Sequence, residues 1–132
     1  MARTPSDEDV AAALTALGVA PTGGSAQLIA AVAAAPDPPR PALKLAVRLL
    51  VQQVAERAPG HTVELRVPPY AAVQCVAGPR HTRGTPPNVV EVEPVAFVAL
   101  MTGALTWDDA LRDGRLRASG ERVDLLRELL RP

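Results

Sequence analysis

The side chains with the widest chemical reach gather in one loop. Residues Gly78 to Pro87 read GPRHTRGTPP and bring Arg80, His81 and Arg83 together in an otherwise charge-balanced chain. Two guanidiniums can grip a carboxylate or phosphate through paired hydrogen bonds, and Gly84 lets a ligand approach the backbone. The plainer role for such charges is to pin a long loop by pairing with Glu91, Glu93 or Asp108. Histidine is the side chain suited to proton transfer near neutral pH, so His81 could take that role with Glu91 as its orienting carboxylate. Nothing in the sequence supplies a nucleophile beside them. Cys75 lies inside an apolar strand pattern, where a thiol is an inert core group. With His61 and His81 it makes up the soft metal-ligating residues, and their spacing fits no zinc pattern, so neither metal nor cofactor is expected. Asp108 and Asp109 resemble a catalytic carboxylate pair, but they follow Thr106 at the start of a helix, where negative charge complements the helix dipole. GGSAQ from Gly23 lacks the lysine and the spacing of a phosphate loop.

A second set of candidates is apolar. Val95, Val98, Leu100, Met101 and Leu105, with Leu125, Leu126 and Leu129 near the C-terminus, could line a cavity for an apolar ligand. The same spacing suits ordinary core, because apolar helical faces normally pack against their own sheet.

The elements that must position these groups follow from periodicity. Ser6, with Asp7 to Asp9 behind it, opens a short helix that carries Val10, Leu14 and Leu17 and stops at Gly18. Ser25 to Ala35 reads as a second helix. Four prolines between Pro36 and Pro41 then predict an extended connector, dividing the chain into an N-terminal helical arm, residues 1–40, and a main domain, residues 41–132. From Ala42 to Arg57, Leu43, Val47, Leu50 and Val54 mark the buried face of a long helix. Strands are predicted at Thr62 to Val67, Ala71 to Ala77, Asn88 to Val92 and Arg115 to Ser119. Helices are predicted at Pro94 to Thr102, ending at Gly103, at Trp107 to Arg112 behind Thr106, and at Val123 to Leu130.

Composition narrows the function classes. The 132 residues suit one core, and 14 Lys plus Arg balance 14 Asp plus Glu, so no overall field draws the chain onto nucleic acid or an anionic surface. One Trp, one Tyr and one Phe leave little aromatic surface for stacking on bases or sugars. A lone cysteine allows no internal disulfide, the N-terminus has no apolar leader core, and no apolar run is long enough for a membrane span. These features predict a cytoplasmic protein with no stable membrane insertion and no nucleic-acid partner.

From Val67 to Asp124 the chain resembles the bacterial branch of the sterol carrier protein type 2 superfamily, particularly its short actinobacterial members. VPPYAAVQCVAGPRHTRGTPPNVVEVEP, Val67 to Pro94, is similar to that branch's loop and following strand. TGALTWDDALRDGRLRASGE, Thr102 to Glu121, resembles the superfamily's helix, Gly-basic turn, strand and Gly-acidic ending. The resemblance implies an α/β (α+β) fold, a mainly antiparallel sheet of about five strands covered by helices on one side. It also implies a tunnel between sheet and helices that holds a lipid, fatty acyl or sterol-like molecule. The chain departs from the lipid-carrying members in having a short final helix and no peroxisomal C-terminal tripeptide.

Three functions are compatible with this reading. The leading one is non-enzymatic carriage of an apolar small molecule, with the residues named above as lining and Arg80, His81 and Arg83 receiving an acidic headgroup. The others are a protein-interaction or regulatory domain without cargo, and an enzyme using Arg80, His81 and Glu91.

Overall fold

The computed structural model describes residues 4–78 and 88–132. Helix α1 (Asp7–Ala16) opens with a reciprocal capping box: Asp9 N donates to Ser6 Oγ and Ser6 N donates to the Asp9 carboxylate, both at 3.1 Å. Each bond satisfies a backbone donor that the first turn leaves without a helical partner. Helix α2 (Gly24–Ala34) follows a turn held by Gln27, whose amide oxygen accepts from Thr22 N and Gly23 N. The proline-rich connector bends at Pro36 and Asp37 and leads into α3 (Arg40–Arg57), with Pro41 in its first turn, where a missing N–H costs nothing. Leu43, Val47, Leu50 and Val54 are buried along one face of α3, as their spacing predicts.

Strands β1 (Val63–Val67), β2 (Ala71–Cys75), β3 (Val89–Val92) and β4 (Leu116–Ser119) form one mixed sheet in the order β2-β1-β3-β4. β1 pairs antiparallel with β2 and parallel with β3, and β3 pairs antiparallel with β4. The registers align Val73, Leu65, Val90 and Ala118 in one row, on the face that also carries buried Val63, Val67, Val92 and Leu116. The opposite face carries Ala72, Arg66, Glu91 and Arg117 in a row, with Gln74, Glu64, Val89 and Ser119 in the next. One sheet face is therefore core, and the other is polar and open. Helices α4 (Pro94–Thr102), α5 (Trp107–Arg112) and α6 (Asp124–Arg127) complete the chain. α4 is apolar nearly all round and is enclosed by α2 and α3, with Ala96, Phe97, Val98, Leu100 and Met101 buried.

Several expectations need correction. The sheet has four strands among the described residues, not about five, and β2 ends at Cys75 instead of Ala77. Val76 adopts φ 70°, a left-handed conformation that turns the chain out of the ladder. Its carbonyl packs so close to Gly60 that a Cβ there would lie 2.0 Å from the oxygen, so position 60 admits glycine alone. The closing helix is a single turn, α6, and does not extend over Val123 to Leu130. The bonds Leu125 N to Arg122 O, Leu126 N to Val123 O and Leu129 N to Leu126 O span three residues, a tighter winding than the α-helix.

The connector does not hold the N-terminal helices away from the rest. α2 packs on α3 and α4, and α1 packs on α2 and α3. Val10, Leu14, Leu28, Ile29 and Val32 belong to the same hydrophobic cluster as the sheet, and Pro38 of the connector is itself buried.

Candidate functional site

The apolar candidates converge where α4 gives way to α5. Gly103 takes φ 85° at the end of α4, and Ala104 N and Leu105 N both donate to Ala99 O, which folds the chain back on its own helix. Thr106 then caps α5 by accepting from Asp109 N at 3.2 Å, so the neighbouring carboxylates serve the helix start, as predicted. This reversal sets Trp107 facing inward beside Leu100 and Leu105. The C-terminal segment returns over the same place, anchored by buried Leu126 and Leu130, and Pro132 packs against Gly103.

Between reversal and C-terminal segment lies a cleft of about 300 Å³ with an apolar floor of Leu100, Leu105, Trp107 and Leu130. Its rim is charged and internally paired. Arg127 bonds to Asp108 across the two segments, and Arg131 pairs with Glu128 at 3.0 Å. The arrangement sets an apolar floor, itself part of the packed core, beneath an open rim of charged and paired side chains.

Of the residues expected to line a cavity, Leu100 and Leu105 line this cleft. Val98, Met101 and Leu126 are buried in the core, and Leu129 is half-buried against it. Val95 and Leu125 are 44% and 45% exposed. Trp107 and Leu130 were not among the expected lining. Their signals were Trp107 directly after a helix cap and the i, i+4 pair Leu126 and Leu130. Arg80, His81 and Arg83 lie outside the described residues. Glu93 pairs with Arg115 at 3.8 Å, and Glu91 stands in the sheet register between Arg66 and Arg117. Cys75 is fully buried, its Sγ 3.7 Å from Val63 O, and burial pushes its pKa up to about 11.

One polar cluster escaped the sequence reading. Asn88 is buried and donates to Thr62 O at 3.1 Å, while its side-chain oxygen accepts from Arg122 N at 3.0 Å. It ties the start of β3 to the start of β1 and to the turn after β4.

This is a small α/β protein whose sheet is covered by helices on one face. A family described as bacterial SCP ortholog matches residues 39–130, and the chain belongs to that family of bacterial sterol carrier protein-like proteins. No curated protein matches the chain. Among the described residues, no helix is long and apolar enough to cross a membrane.

Proposed function

We propose that the protein binds an apolar small molecule, a lipid, fatty acyl or sterol-like compound, and carries it without converting it. The observation that carries this reading is the cleft floored by Leu100, Leu105, Trp107 and Leu130. Its volume falls at the lower end of small-molecule sites, so it would take part of a long ligand as it stands and more if the C-terminal segment lifts. Family membership supports an apolar cargo. Arg80, His81 and Arg83 remain proposed to receive an acidic headgroup, and Arg127 and Arg131 on the cleft rim are further candidates for that role. A second reading, docking of a protein partner, is favoured by exposed Val95 and Leu125.

Trp107 is the chain's single tryptophan and lies in the cleft, so it reports directly on occupancy. Titration with oleate should shift its emission saturably, and native mass spectrometry should show a one-to-one adduct. Leu105→Arg, at a half-buried position, should abolish both signals with the fold intact. Silent Trp107 emission together with no retained mass would sink the carrier reading and leave partner docking.

A further inference from the structure

The two edge strands of the sheet are guarded unequally. Glu64 N donates to Asn88 O and Glu93 N donates to Arg115 O, and strand alternation carries these phases along the ladders. The backbones of Ala72 and Gln74 therefore face out of β2, and those of Leu116 and Ala118 face out of β4. No described residue hydrogen-bonds any of these outward backbone groups. At the β4 edge Leu116 is buried between Arg115 and Arg117, and charged side chains are a usual guard against further pairing. β2 has no such guard. It carries no charge and no proline, Ala72 and Gln74 are exposed, and an open groove of about 370 Å³ runs beside Tyr70, Ala71 and Ala72. The free stretch is short: Pro68 and Pro69 precede it, and beyond Cys75 the Val76 N–H is taken by Ala58 O at 2.7 Å.

We propose that the β2 edge pairs antiparallel with β2 of a second copy of this chain, joining the two sheets into one. A two-fold axis at Val73 sets Ala72 opposite Gln74 of the second copy, and Gln74 opposite its Ala72. The outward N–H and C=O of both residues are then satisfied in each copy, with none left over. The strand fits itself in length, since both copies are open over the same stretch, Ala71–Cys75. Val73 is half-buried and meets its counterpart at the axis, a close non-hydrogen-bonded position where β-branched pairs pack well. β2 has no charged side chain to repel its copy, and the chain as a whole is neutral. The pairing uses none of Leu100, Leu105, Trp107 or Leu130, so it stands apart from the cargo reading.

Sedimentation equilibrium and amide hydrogen exchange of the full chain test this. Mass should rise from monomer toward dimer with concentration, and the Ala72 and Gln74 amides should gain protection along with it. Two double variants at these exposed positions then test the register. Ala72→Glu with Gln74→Lys sets opposite charges across the axis, and each new charge also stands beside its opposite on β1, Arg66 or Glu64. Ala72→Lys with Gln74→Lys sets lysine against lysine across the axis. The first should associate about tenfold more tightly than the second, because two cross-strand pairs change sign. A chain still monomeric at about 1 mM would overturn the proposal. So would equal association of the two double variants, or a dimer in which the Ala72 and Gln74 amides exchange as they do in the monomer.

Discussion

Cys75 shows how far burial alone can set a residue's chemistry. Its thiol faces Val63 O from within the core, and burial, with no cation beside it among the described residues, raises its pKa from about 9 to about 11. The neutral thiol is favoured in the folded chain, whereas the unfolded chain ionises earlier. Below pH 9 both states hold the proton and stability is unaffected. As pH rises from about 9 to about 11, the unfolded state loses its proton first, so stability falls across that window. Urea midpoints measured from pH 8 to pH 11 should decline more steeply for the wild type than for Cys75→Ala, the difference isolating this group from other alkaline titrations. Parallel curves for the two proteins would show that the thiol is not desolvated. The same burial makes alkylation by iodoacetamide slow until denaturant opens the fold.

Elements take their stability from neighbours in register, and the open sheet face gives a case in charges. Ala72, Arg66, Glu91 and Arg117 stand side by side across the four strands, so Glu91 has an arginine directly opposite on each flank. Glu64 hydrogen-bonds Arg66 at 2.8 Å, and with the charge of Glu91 it holds that guanidinium above its ordinary pKa. Opposite charges directly across strands stabilise modestly and like charges destabilise. Glu91→Lys, which makes three cations in a row, should therefore cost about 1 kcal/mol at low salt, and Glu91→Gln less. Added salt should recover most of the lysine variant's loss, as followed by thermal unfolding at two ionic strengths. A loss indifferent to salt would mean that Glu91 acts through packing. The alternation that makes this ladder was plain in the sequence, as were α4 and α5, which begin and end at the residues expected, because caps and period leave strong local marks. The left-handed turn at Val76 and the tight winding around α6 were not legible. Both are imposed by contacts with distant chain, Gly60 for one and the α4–α5 reversal for the other. The fifth strand came from resemblance and had no alternating segment of its own to support it.

At the scale of the whole molecule, the cleft was only half visible for the same reason. Leu100 and Leu105 could be named from the α4 pattern, but Trp107 and Leu130 meet them only because the C-terminal segment folds back over the reversal. The proline connector misleads in the opposite direction. It suggested an arm held apart, yet Leu14, Leu28, Ile29 and Val32 pack into the core that α3 and α4 share with the sheet. The family match begins at residue 39, so a chain cut there retains the shared segment and loses every one of those side chains. Four such residues forgo about 1.5–3 kcal/mol of burial each, and the truncation also uncovers their partners on α3 and α4. That sum rivals the whole stability of a domain this size. Residues 39–132 alone should therefore bind hydrophobic dyes, aggregate, or unfold without a cooperative transition, while the full chain unfolds in one step. Adding residues 1–38 back as a separate peptide should restore protection of α3 and α4 amides from hydrogen exchange. A truncated chain that melts cooperatively near the full-length Tm would instead show that α1 and α2 rest on a core already complete without them.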